Sequence, residues 1–319
     1  MATFKGIKGV KVVTKATDPT ASEADGTVWY NSTSPSALKY AIQSSGAWAS
    51  GGAMPTATKQ QGCFGTQTAA VSNGNNPATN VTSEYDGTSW AVGNNSITTR
   101  RNMAALGLLT AGICAGGNTP GGNTTNSEEY DGTSWTATPS INTARQGLGG
   151  GGTITAAVIA AGNPAKQLCE EYNGTAWSEV NNLSNGRQNV CMGGTTQATT
   201  TCAGGGPPSV YLKTETYDAT SWTEVNNLNS GKVEGGASSY GTTTAMLAFG
   251  SEISPHVATE KYDGTSWTEV GDLATNRHIA RGAGTNTAAI CAGGGIPAAT
   301  TATEEWADPA YIIKTVTVS

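Results

Sequence analysis

Ten residues after each of five regularly spaced tryptophans stands a base: Arg100, Arg145, Arg187, Lys232 and Arg277, with Lys59 eleven residues after Trp48. Such a set can do two kinds of work. Gathered around one mouth of a central channel, six cations would focus a positive potential able to hold an anionic sugar or a partner's carboxylates. Kept within each unit, every base would instead pair with a backbone carbonyl or with a recurring glutamate such as Glu84, Glu129, Glu171 or Glu215. A charge repeated in every unit commonly serves the unit, which favours the second use.

Other chemistry is thinly represented. His256 and His278 are the only histidines, so neither a copper site nor a zinc site has the ligand set or spacing it needs. Adjacent acids occur at Glu128-Glu129, Glu170-Glu171 and Glu304-Glu305. Glycoside cleavage requires two carboxyls converging on one bond, whereas neighbours along a strand point to opposite faces. Asp86-Gly87, Asp131-Gly132 and Asp263-Gly264 are adjacent pairs, as a hairpin needs, and not the separated pair of a sialidase Asp box. The expectation is a protein without catalytic residues, metal or cofactor.

The elements that position these residues come from a repeat. Tyr-Asp-Gly-Thr-Ser-Trp stands at 85–90, 130–135 and 262–267, with near copies at 172–177 and 217–222. The tyrosines lie 45, 42, 45 and 45 residues apart, a period of propeller blades rather than of shorter helical repeats. The same ruler reaches back to Tyr40 with Trp48 and forward to Trp306 with Tyr311. Seven modules result, at about 4–50, 51–95, 96–139, 140–181, 182–226, 227–271 and 272–319, and they fill the 319 residues as one all-β domain, a seven-bladed β-propeller. The alternative is six blades plus a small N-terminal attachment segment within residues 1–50.

One module reads as four strands. Residues 145–152, small and glycine-rich, suit the innermost strand, where backbones converge. The apolar run 155–162 suits a strand buried on both faces. Glu170-Glu171-Tyr172 opens the third strand, Asn173-Gly174 predicts a tight type I′ hairpin, and Trp177 lies on the fourth. The aromatic pairs Tyr40/Trp48, Tyr85/Trp90, Tyr130/Trp135, Tyr172/Trp177, Tyr217/Trp222, Tyr262/Trp267 and Trp306/Tyr311 are read as packing between blades. In the first module the innermost strand would come from residues 9–15. In the seventh, strands are expected at 278–282, 287–292, 303–307 and from Tyr311 onward. The ring would then be held by sheet contacts between adjacent terminal blades. Lys5, Lys8, Lys11 and Lys15 mark an arm that either completes the first blade or docks onto another subunit.

Composition narrows the partners. Charged residues make up 13% and the formal net charge is −6, with a pI near 5.0, which argues against nucleic acid because phosphate neutralisation needs a basic footprint. The N-terminus lacks the continuous apolar stretch of a signal peptide, and no segment has the roughly 18 apolar residues of a membrane span. Of six cysteines, Cys114, Cys202 and Cys291 share one repeat position, whereas Cys63, Cys169 and Cys191 do not. Aligned positions in different blades are far apart, so free buried thiols are expected.

Glycine pairs after an apolar strand, at Gly116-Gly117, Gly204-Gly205 and Gly293-Gly294, followed by Tyr and then Trp, resemble the kelch repeat over roughly residues 27–311. Gly74, Gly162 and Gly250 are followed by Asn75, Asn163 and Ser251 and depart from it. The resemblance implies a β-propeller. Asp-Pro-Thr-Ala-Ser-Glu-Ala-Asp-Gly-Thr-Val-Trp-Tyr-Asn at 18–31, leading into Thr/Asn/Gly-rich units, resembles virion structural and tail-fibre proteins of tailed bacteriophages, notably marine and cyanobacterial ones. That resemblance implies a virion protein assembled in the host cytoplasm, with other virion proteins as partners, an oligomeric state set by virion symmetry, and contacts to host surface polysaccharide or receptor. Loops at 75–83, 117–127, 205–214 and 251–259 would form its recognition surface. The alternative is a free propeller that binds or cleaves carbohydrate through the basic ring or through exposed aromatics such as Tyr211 and Trp29.

Overall fold

The computed structural model describes residues 12–19, 27–33, 35–43, 46–295, 298–308 and 311–316. Lys5, Lys8, Lys11 and the side chain of Tyr311 lie outside that description. Two compact units emerge in place of the expected single domain: Met1–Gly46 with Asp308–Ser319, and Ala47–Ala307. The smaller unit is a four-stranded sheet in which Val13–Lys15 runs parallel to Val28–Asn31, followed by antiparallel Ala37–Gln43 and Tyr311–Thr315. Trp29, expected to be exposed, is only 1% accessible and its indole donates to Asp18, which also accepts from Asn31 and Lys39.

The larger unit contains six four-stranded antiparallel sheets. The first is Gly62–Thr66, Ala69–Asn73, Thr82–Tyr85 and Trp90–Val92; the second is Ala104–Leu108, Ala111–Ala115, Ser127–Tyr130 and Trp135–Thr138. Gly149–Thr153, Ala156–Ala160, Cys169–Tyr172 and Trp177–Val180 form the third, and Cys191–Gly193, Thr200–Ala203, Thr214–Tyr217 and Trp222–Val225 the fourth. The fifth is Gly236–Ala237, Met246–Phe249, Thr259–Tyr262 and Trp267–Glu269. The sixth joins Arg281–Gly284, Ala288–Ala292 and Thr303–Ala307 to Ala47–Ser50.

This pairing departs from the expected first and seventh modules. Trp48 lies opposite Trp306, not in a sheet with Tyr40, while Tyr40 lies opposite Lys314 and Val28 in the smaller unit. The Tyr311 strand, expected to finish the last module, pairs with Ala37–Gln43. Period arithmetic places a strand along the chain, but side-by-side hydrogen bonding decides its neighbour, and here the two outer strands have exchanged places.

Small residues explain how the innermost strands converge. A Cβ on Gly149 would stand 2.5 Å from Met192 Cβ in the fourth sheet, and one on Gly150 would stand 2.6 Å from Leu106 Cδ2 in the second. Second strands such as Ala156–Ala160 are buried almost throughout, as their apolar run requires. The hairpins before the tryptophans differ from the two-residue type I′ turn expected. Tyr172 pairs directly with Trp177, leaving a four-residue loop in which Asn173 Oδ1 accepts the N–H groups of Thr175 and Ala176. Asp86, Asp131, Asp218 and Asp263 do the same, so the acid acts as a side-chain turn former.

The aromatic pairs pack as expected, with ring centroids 4.8–5.0 Å apart from Tyr85/Trp90 through Tyr262/Trp267. Each tryptophan also addresses the preceding sheet. The indole N–H of Trp90 donates to Thr303, that of Trp135 to Thr82, that of Trp267 to Thr214 and that of Trp48 to Thr259, at 2.9–3.1 Å. Ser127 and Cys169 hold the threonine position facing Trp177 and Trp222, whose indole nitrogens make no hydrogen bond of normal geometry. All six cysteines are free and buried.

Trp48 closes the sixth sheet, packs against Phe249 with centroids 4.8 Å apart, and bonds Thr259. Trp48→Ala is expected to lower stability by about 3–5 kcal/mol, the usual cost of truncating a buried large aromatic. Urea unfolding followed by tryptophan fluorescence measures it.

Candidate functional site

The basic ring does not gather at a channel mouth. Arg100, Arg145, Arg187, Lys232 and Arg277 are buried, and each meets the first glutamate of the third strand in its own sheet: Glu128 at 2.5 Å, Glu170 at 3.1 Å, Glu215, Glu260 at 3.3 Å and Glu304 at 2.8 Å. Arg100 also donates to the carbonyls of Gly116 and Asn126, Arg187 to those of Gly204 and Lys213, and Arg277 to those of Gly293 and Ala302. The carboxylates in turn accept backbone N–H groups of the incoming crossover, Ile97 and Thr98 on Glu128, Asn229 and Ser230 on Glu260. Each base–acid pair is therefore a clamp joining the crossover to the loop between strands two and three. Such added hydrogen bonds make a buried pair tolerable, although the Nε atoms of Arg100, Arg145 and Arg187 are left without a hydrogen-bond partner.

Of the expected partners, only Glu215 belongs to a clamp. Glu84 and Glu305 accept the hydroxyls of Tyr130 and Tyr85 from the following sheet, and Glu129 and Glu171 face Tyr172 and Tyr217. Adjacent glutamates thus divide by strand alternation, one to the clamp and one to a tyrosine. Burial, and then the Glu305 carboxylate, push the Tyr85 hydroxyl up to about 12.

The first sheet breaks the pattern. The backbone N–H of Arg100, Arg187, Lys232 and Arg277 donates to the loop of the preceding sheet, and Thr58, not Lys59, makes the equivalent bond to Thr300. Ser83 holds the glutamate position. Two hydroxyls replace an ion pair, and a cavity of about 60 Å³ opens between Thr56, Thr58, Ser72, Thr79 and Ser83. Lys59 is one step out of register and forms no ion pair among the described residues.

What does surround the channel mouth was not visible in the residue types. Gln60, Asn102, Gly147, Asn189, Glu234 and Ile279, each two residues after the clamp position, all have φ between 54° and 68°. Asn102 N–H donates to Gln60 O, Gly147 to Asn102, Asn189 to Gly147, Glu234 to Asn189, Ile279 to Glu234 and Gln60 to Ile279, at 2.6–3.1 Å. Six backbone hydrogen bonds form a closed circuit. The one signal in the sequence was Gly147; asparagine tolerates this conformation, but Ile279 does not advertise it.

Polar side chains fill the space inside. Arg281 donates to Asn102 Oδ1 at 2.8 Å, Asn102 to Asn189 Oδ1 at 3.3 Å and Asn189 to Glu234 Oε1 at 3.0 Å. Burial, with Glu252 adding to it, holds the Glu234 carboxyl above the usual range against the opposing pull of Arg281 and Lys59. Burial lowers His278, with His256 and Lys59 acting the same way and Glu252 opposing. The arrangement offers donors and acceptors for polar recognition, and among the described residues no group of His, Cys, Asp or Glu is arranged to hold a metal.

Two tests follow from this geometry. Thr58→Arg and Ser83→Glu should each destabilise the protein by burying an unmatched charge, while the double variant recovers about 3 kcal/mol of the summed loss through their coupling, read from a double-mutant cycle in urea. Glu234 binds its proton more tightly folded than unfolded, so its contribution is fully present below its unfolded value near 4.5 and is lost as pH rises through the elevated folded value. Glu234→Gln should therefore match the native chain at about pH 4 and exceed it in stability at about pH 7.

No protein-family model matches the chain, and no curated protein does. The solved structure of YjhT matches it with a TM-score of 0.65 at 11% identity, covering 82% of this chain and 99% of that one. Likeness at this identity speaks for the fold alone. With the six sheets and their channel, it makes the architecture all-β and β-propeller-like.

Proposed function

We propose that residues 47–307 are a six-bladed kelch-like propeller serving as a non-enzymatic recognition or scaffolding component of a tailed-phage virion, with the smaller unit as its attachment segment. The observation that carries this reading is the contrast between a constant frame and variable loops. Five clamps use their charges inside the frame, whereas the loops between strands two and three differ in every sheet. Variable loops on a repeated scaffold are suited to contacting another macromolecule. The phage assignment itself rests on the resemblance of residues 18–31 and on the repeat style. Partners in this reading are other virion proteins and host surface polysaccharide or receptor.

The free carbohydrate-cleaving alternative receives less support. Its adjacent glutamates are engaged with clamps and tyrosines, and neither Trp29 nor the five clamped bases are available to a sugar. The virion reading predicts that peptides of this chain appear in mass spectra of purified particles at a fixed ratio to the capsid protein. It further predicts that replacing the exposed Pro208, Ser209 and Leu212 by Gly, Gly and Ser reduces binding of labelled protein to host cells while the unfolding midpoint stays close to that of the native chain. Absence from purified particles would refute it.

A further inference from the structure

All six innermost strands line a cavity of about 40 Å³ in the channel. Most of its wall is glycine, alanine and thioether or thiol, with one charge, Arg281, and one hydroxyl, Ser239. At the position of Arg281 the neighbouring strands carry Gly62, Ala104, Gly149, Cys191 and Gly236, so this one long side chain is accommodated by five small ones. Of the five guanidinium N–H groups, the hydrogen bonds formed go to Ala280 O at 3.0 Å and Asn102 Oδ1 at 2.8 Å. No carboxylate lines the cavity, and Arg281 forms no ion pair within 4.0 Å among the described residues. Glu234 acts on it through space while its own oxygen accepts from Asn189.

Ser239 is 4% exposed, and its hydroxyl has no hydrogen-bond partner. Cys63 and Cys191 complete the polar lining; burial pushes their thiols to about 12 and about 11, so both remain S–H. Guanidinium, hydroxyl and thiols are all able to donate, and Arg281, half-buried in the channel, has no counter-charge in contact with it. The volume admits one or two water-sized occupants and excludes a sugar.

We propose that this cavity is a halide site in which chloride sits against the Arg281 guanidinium and accepts the Ser239 hydroxyl. Bound chloride neutralises the one cation that lines the cavity and ties the sixth sheet, which bears Arg281, to the segment after the innermost strand of the fifth, which bears Ser239. The site is independent of the virion reading and would hold for the fold in any setting.

The test uses the full chain. Thermal unfolding is followed in sodium chloride, sodium bromide and sodium gluconate at matched ionic strength for the native protein, Arg281→Gln and Ser239→Ala, and crystals grown in bromide are examined for anomalous scattering. The native midpoint should rise saturably with chloride and bromide and not with gluconate. Arg281→Gln should abolish that increment, Ser239→Ala should weaken the apparent affinity about tenfold, and a bromide peak should lie in the channel beside Arg281. Equal responses to chloride and gluconate, with water in the cavity, would overturn the proposal. A bromide peak without a halide-specific shift in solution means binding at crystal concentration only, and overturns it as well. If Arg281→Gln does not fold, the native chain and Ser239→Ala decide between these outcomes.

Discussion

Six backbone hydrogen bonds arranged head to tail are the constraint from which the larger unit follows. Each donor and each acceptor sits on a residue with positive φ, and five of the six are not glycine. A left-handed residue with a side chain costs roughly 1–2 kcal/mol, so the circuit is maintained against local preference. Its effect is geometric. By turning the chain at the same point in every repeat, it starts each innermost strand at the same depth and brings the clamp position, two residues earlier, beneath the loop it must hold. A change in one member would be felt by both neighbours, because each donates to one and accepts from the other.

Outward from that circuit, the same sheet-to-sheet logic recurs with side chains. Clamps satisfy the loops within a sheet, tyrosine hydroxyls reach the second glutamate of the preceding sheet, and indole N–H groups reach its threonine. Polar groups buried between sheets need partners, and a repeat can supply the donor in one unit and the acceptor in the next. Departures mark where that supply fails. Ser127 and Cys169 leave two indoles without a hydrogen bond of normal geometry, and Thr58 with Ser83 leave a cavity where an ion pair would stand.

Function, in this reading, is carried by what the frame does not use. Buried and paired bases cannot steer an anion, whereas Lys59, His278, Glu234 and Arg281 lie where no repeat rule fixes their partners. The channel and the loops between strands two and three are thus the two regions in which this chain differs from a generic ring of sheets.

Residue order alone reveals the all-β class, most strands of the five middle repeats, the aromatic pairs Tyr85/Trp90 through Tyr262/Trp267 and the free buried thiols of Cys114, Cys202 and Cys291. These are legible because they depend on local pattern: an apolar run, an aromatic pair across a hairpin, a small-residue strand. It also located five of the six clamp positions, though the identity of the acid was one residue off at Glu128 and Glu170, since strand alternation decides which neighbour faces inward. Strand pairing in three dimensions was needed to place Trp48 beside Trp306, Tyr40 in a separate unit, and Thr58 rather than Lys59 in the clamp register. Each of those depends on a hydrogen bond between residues more than two hundred positions apart or between units of equal period, and periodicity along a chain carries no information about which copy pairs with which.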